Sequence, residues 1–114
     1  MSKLPNADRE VIPAGKLAGY SLDPEHPNGK HKARVFKAAL GLTADDAPFL
    51  HDKVMEAART QEATPQAPNA FGERWVVDFG LTTEAGTATV RTAWIVRKGE
   101  DFPRLTSCYV IEDK

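Results

Sequence analysis

Between Gly29 and Gly41 the chain reads GKHKARVFKAALG, gathering Lys30, His31, Lys32, Arg34 and Lys37 with no acid among them. The whole chain is nearly neutral, with a formal net charge of -1, so this positive charge is a local concentration. Ammonium and guanidinium groups hold anions, and the planar guanidinium fork matches two phosphate oxygens at once. Histidine titrates near neutrality and serves as acid or base. Together they fit either a solvated helix face or half of a site for something anionic. The remaining candidates lie far along the chain: Arg74, Arg91 and Arg104, with Thr106 and Tyr109. The cations Lys30, Arg34 and Lys37 also fit a solvated helix stripe, and the strand arginines fit the polar side of a half-exposed sheet.

The elements that must position these groups follow from periodicity. Val35, Phe36, Ala39 and Leu40 form an apolar stripe, so Lys30–Leu40 is predicted helical, with Lys30, Arg34 and Lys37 on a different stripe. Gly41 is the expected stop. Thr43 with Asp46 reads as a capping-box variant opening a second helix to about Arg59, its inward residues being Phe49, Leu50, Val54, Ala57 and Ala58. Pro13 is expected to open a short helix to about Leu22, and Arg9–Ile12 a short strand. The stretch DPEHPNG is a loop, with His26 as a turn residue. TQEATPQAPNA is a Pro-rich connector expected to be mobile.

Beyond it the period becomes two. Trp75, Val77 and Phe79 alternate with Arg74, Val76 and Asp78; Val90, Thr92 and Trp94 alternate with Arg91, Ala93 and Ile95. In the last strand Leu105, Ser107, Tyr109 and Ile111 alternate with Arg104, Thr106, Cys108 and Val110. If Trp75, Trp94 and Tyr109 face the helices, Arg74, Arg91, Arg104 and Thr106 share the other side, with Asp78 as its one acid. The predicted fold class is α+β: two or three helices packed on one face of an antiparallel three- to four-stranded meander sheet, an N-terminal strand joining its edge. A single domain spans 1–114, with a helical part at about 13–59, the connector at about 60–70 and the sheet at about 71–112.

Composition fits that size: 41% hydrophobic and 27% charged residues are the balance of a globular domain. No run is apolar enough for a membrane span, and MSKLPNADRE lacks a secretory pattern. A cytoplasmic protein is expected, or a released domain of a longer secreted chain. The lone Cys108 makes neither an internal disulfide nor a cysteine-rich zinc site, and is expected to be inert. His26 and His31 with Asp23 or Glu25 lack a recognised zinc spacing. There is no Gly-rich phosphate loop, dinucleotide fingerprint or HExxH, so neither a metal nor a cofactor is expected. Near-neutral charge argues against non-specific nucleic-acid coating, but not against a cationic groove, because screening acts beyond about 8–10 Å.

The stretches NADREVIPAGKLAGYSLDPEHPNGKHKARVFKAALG and GERWVVDFGLTTEAGTATVRTAWIVRKGEDFPRLTSCYV resemble a family of small uncharacterised bacterial domains. Its members occur alone and as C-terminal modules of polymorphic secreted toxins, and share HP-G-HKA+-F, RT-WI and R-T-Y patterns. This chain reads YSL where relatives often read YLL. The family is in turn similar to the barnase–EndoU–colicin–RelE group of metal-independent ribonuclease toxins. The resemblance implies RNA as substrate, cleaved by attack of its own 2′-OH, and a small cognate antitoxin or immunity protein as partner. Such chemistry needs a base, an acid for the leaving 5′-oxygen, and cations around phosphorus. His31, Lys32, Arg91, Arg104, Thr106 and Tyr109 are the expected catalytic set, and Lys30, Arg34 and Arg74 the substrate-binding one. The rival expectations are a non-catalytic RNA- or protein-binding module and an antitoxin- or immunity-like protein.

Overall fold

Ala33, Phe36 and Leu40 recur at helical spacing and are buried along α1, Lys30–Leu40. The structure is a computed structural model that describes residues 3–6, 9–12, 17–23, 25–27 and 29–111, the side chains of 18 and 20 apart. His26 prepares the entry to α1: its Nδ1 accepts the Gly29 N–H at 3.0 Å, and its carbonyl accepts the Lys30 N–H at 3.0 Å. That is the turn role read from its sequence. Gly41 ends the helix at φ 68°, a left-handed conformation that glycine adopts without Cβ strain.

Asp46 Oδ2 accepts the Thr43 N–H at 2.9 Å, so the capping pair is present. It opens a 3₁₀ turn, Ala44–Asp46, before α2, Ala47–Thr60. Leu50, Val54, Ala57 and Ala58 are buried as expected, but Phe49 is 41% exposed and sits 5.7 Å from Lys53 Nζ. The short N-terminal helix is represented by a π-helical turn, Leu17–Ser21; residues 13–16, where it was expected to begin, lie outside the described ones.

Four strands follow, β1 (Ala63–Asn69), β2 (Gly72–Thr83), β3 (Gly86–Arg97) and β4 (Arg104–Ile111), in the order β1-β2-β3-β4 with antiparallel neighbours. The Pro-rich connector expected to be mobile is therefore largely an edge strand. Pro65 and Pro68 are tolerated there because an edge strand has one row of N–H groups with no ladder partner. The expected N-terminal strand reduces to one parallel bridge, Val11 to Arg104, on the opposite edge. Around it Arg9 forks onto Asp101 at 3.0 and 2.9 Å, and the buried Glu10 carboxylate lies 3.1 Å from Arg59 on α2.

One core cluster joins Phe36 and Leu40 of α1, Leu50 and Val54 of α2, and Val77, Phe79, Val90, Trp94, Leu105 and Cys108 of the sheet. Trp94 is 1% exposed, and its Nε1 donates to Thr92 Oγ1 at 2.8 Å. Thr92 in turn donates to the Val77 carbonyl, so the polar groups of this pair are satisfied, whereas the Trp75 Nε1–H is buried with no hydrogen-bond partner among the described residues.

Candidate functional site

Strict alternation puts Tyr109 beside Trp94, and the structure overturns that. Between Ala93 and Trp94 the β3–β4 register slips: Ala93 pairs with Ser107 and Trp94 with Leu105. Thr106 is the extra residue of a β-bulge, which reverses the facing of everything after it. Leu105, Cys108 and Val110 are buried with the core, and Tyr109 stands opposite Arg91. Cys108 rather than Tyr109 occupies the inner side; burial pushes its thiol up to about 12, although nearby Lys32 pulls the other way.

On the arginine face, Arg91 lies between Asp78 on β2 and Tyr109 on β4. Its Nε and Nη2 donate to Asp78 Oδ1 and Oδ2, each at 2.9 Å. These bonds raise the guanidinium pKa, with burial opposing and Tyr109 adding to the rise. Lys32 reaches the same place from the first turn of α1, its Nζ 5.6 Å from the centre of the Tyr109 ring. Asp78, Arg91, Tyr109 and Lys32 thus form a connected group from three strands and a helix. It contains a cation oriented by a carboxylate, a lysine cation and a phenol.

The other candidates lie elsewhere. Arg104 pairs with Ile95, four residues along β3 from Arg91, or about 13 Å at roughly 3.3 Å per residue. Its fork is taken by Glu100 at 3.0 and 3.0 Å, and its guanidinium sits 5.1 Å from the Phe102 ring. Arg91 and Arg104 are thus on one face but cannot hold one phosphate. Thr106 donates to the Ala93 carbonyl at 3.0 Å, serving the bulge. Arg74 is exposed and pairs with Ile95 at the Arg104 end. Lys30, Arg34 and Lys37 line a groove of about 470 Å³ floored by Leu22 and Leu42 and closed by Asp45, which none of the strand arginines lines. His31 is exposed on the first turn of α1, one residue before Lys32.

The single pocket expected from the sequence is therefore two sites: a cationic groove along α1, and the Lys32–Tyr109–Arg91–Asp78 group. Asp78 was visible in the sequence as the one acid on its face, but its role as Arg91's partner needed the cross-strand register. Among the described residues no three of His, Cys, Asp and Glu cluster tightly enough to hold a metal ion. No helix among them is long and apolar enough to cross a membrane.

Residues 3–112 match the family model described as "Domain of unknown function (DUF6883)". The chain belongs to this family. The match covers all four strands and both helices, so the α1 cations and strand arginines sit on one family unit. No curated protein matches the chain.

Proposed function

We propose that this domain cleaves RNA without a metal, by attack of the 2′-OH on the adjacent phosphorus. The reading takes both helices to cover the Trp94 side of the sheet, leaving the arginine side for substrate. One observation carries it: a helix cation and a strand arginine, far apart in sequence, meet at Tyr109. Arg91, held rigid by Asp78, offers the rest of its fork to non-bridging phosphate oxygens. Lys32 adds a second charge as negative charge grows on phosphorus. His31, beside Lys32 in sequence, takes the 2′-OH proton, and Tyr109 protonates the departing 5′-oxygen. The P–O5′ bond breaks as the 2′-O–P bond forms, giving a 2′,3′-cyclic phosphate and a 5′-hydroxyl. Arg104 and Thr106 have no part in this. A protein with such an activity needs restraint in the cell that makes it, which is the place for the small cognate inhibitor expected from the resemblance.

The test is incubation of purified protein with total RNA in EDTA. Cyclic-phosphate ends are the expected product, lost with Lys32→Ala or Tyr109→Phe. Intact RNA across pH values removes the proposal.

A second reading has its own observation. The charges of Arg91 and Arg104 are already matched by Asp78 and Glu100, whereas Lys30, Arg34 and Lys37 share the α1 groove with one acid, Asp45. That favours a binding module for RNA or an acidic partner protein. It predicts salt-sensitive binding with the RNA recovered whole.

A further inference from the structure

The far end of the arginine face carries a feature the proposed chemistry does not use. Phe71, at the β1–β2 turn, is 72% exposed, the most exposed large apolar side chain described. Its backbone is fixed. Asn69 Oδ1 accepts the N–H groups of Phe71 and Gly72 at 2.8 and 3.2 Å, and the Phe71 carbonyl accepts the Lys98 N–H at 3.0 Å. Gly72 permits this close approach: a Cβ there would lie 2.1 Å from the Val96 carbonyl oxygen. The fold thus holds an aromatic ring in water on a pinned turn, where burial would otherwise be favoured.

Cations surround it. Arg97, Lys98 and Thr106 line an open groove of about 610 Å³ with Phe71, floored by Ile95. Arg74 lines the adjoining groove of about 400 Å³, which shares Asn69, Ile95 and Thr106 with the first. Arg74 and Lys98 make no salt bridge among the described residues. Two acids lie near: Glu73, and Glu100, which is already held by Arg104 and also feels Arg97. The net character is positive beside one flat apolar surface.

We propose that Phe71, Arg97, Lys98 and Arg74 form a platform for single-stranded RNA, one unpaired base stacking on Phe71 while its phosphates meet the cations. The inference deepens the ribonuclease reading and rests on it for the identity of the polyanion. From Arg91 to Arg97 along β3 is about 20 Å at roughly 3.3 Å per residue. A stacked strand advances about 3.4 Å per nucleotide, so a short single strand can reach from the platform to Arg91. A duplex cannot use Phe71, because its bases are already stacked and paired. The substrate class is therefore unpaired RNA, recognised with little base preference, since every base has a π-face.

The test separates binding from cleavage by using a short fluorescent 2′-O-methyl oligonucleotide, which lacks the attacking hydroxyl, as the probe. Anisotropy titrations compare wild type, Phe71→Ala, Phe71→Trp and Arg97→Ala/Lys98→Ala, with the probe single-stranded or annealed to its complement. The expected result is about tenfold weaker single-strand binding for Phe71→Ala, retention by Phe71→Trp, and weaker binding with a shallower salt dependence for the double variant. Duplex binding should not respond to Phe71. Unchanged single-strand affinity in Phe71→Ala, equal loss on duplex and single strand, or no binding of either probe overturns the platform. Because Phe71 is exposed, an unshifted thermal midpoint confirms that Phe71→Ala is folded, and Phe71→Trp retains an aromatic ring whatever the truncation does. The outcomes remain distinguishable: intact total RNA with a Phe71-dependent probe defeats the cleavage reading and keeps the platform, whereas cleaved RNA with a Phe71-independent probe does the reverse.

Discussion

Arg91 and Arg104 make nearly the same bond in different surroundings. Each forks onto a carboxylate through Nε and Nη2 at about 3 Å, and both sit on one side of one sheet. Arg104 pairs with Glu100, four residues before it, and lies against Phe102. Glu100 and Phe102 lie in the β3–β4 connection and Arg104 opens β4, so the pair braces that connection. Arg91 instead takes its acid from a neighbouring strand and has a phenol on its other flank, with Lys32 arriving from α1. A salt bridge seen alone says little about purpose. What distinguishes these two is the second group beside each arginine: an apolar ring in one case, a phenol on the facing strand in the other.

That contrast can be broken in graded steps. The largest effect is expected for Tyr109→Phe, which removes only an oxygen: cleavage of RNA should fall by about a hundred- to ten-thousandfold in a discontinuous gel assay. Thermal melting should barely move, because the ring remains. Next comes Arg91→Ala, expected to cost about a hundred- to a thousandfold in turnover; a wild-type rate would place Arg91 with Arg104 as a brace. Asp78→Asn should cost less than Arg91→Ala, since the guanidinium stays charged but loses its bidentate orientation. Arg104→Ala should leave the cleavage rate at the wild-type level, and a loss comparable to that of Arg91→Ala would dissolve the comparison. The smallest effect concerns the inner side of β4. The Cys108 thiol is raised from 9.0 to about 12 by burial, so the folded state holds its proton where the unfolded chain has lost it. Stability from this group is complete below pH 9 and is lost progressively up to about pH 12. Native protein should therefore resist thiol alkylation at pH 8.5–9, in contrast to protein in denaturant, and Cys108→Ser should flatten the alkaline arm of the melting curve.

Much of this architecture was legible from residue types. The α1 boundaries, the Gly41 stop, the Thr43–Asp46 cap and the inner set Trp75, Val77, Val90 and Trp94 follow from local rules that the fold did not override. Phe49 was misplaced because helical spacing does not tell a core-facing position from its flank. The strand Ala63–Asn69 was missed because its two prolines argue against a strand wherever both edges are paired, and only the finished sheet reveals an edge. The site was legible in its inventory and not in its geometry. Asp78, Arg91, Tyr109 and Lys32 were all noted, but their grouping depends on which residues oppose one another across β2, β3 and β4. No local signal marked Thr106 as the extra residue. Phe71 looked like the start of an ordinary alternating strand.

The bulge at Thr106 works as a phase shifter within β4. Upstream of it, Leu105 answers to the hydrophobic interior; downstream, the same strand begins its count afresh. An unbroken pleat that kept Leu105 inside would have exposed a thiol beside Arg91 and sunk a phenol among aliphatic neighbours. One surplus residue thus exchanges the reactive vocabulary of an entire surface without altering any letter that is spoken there.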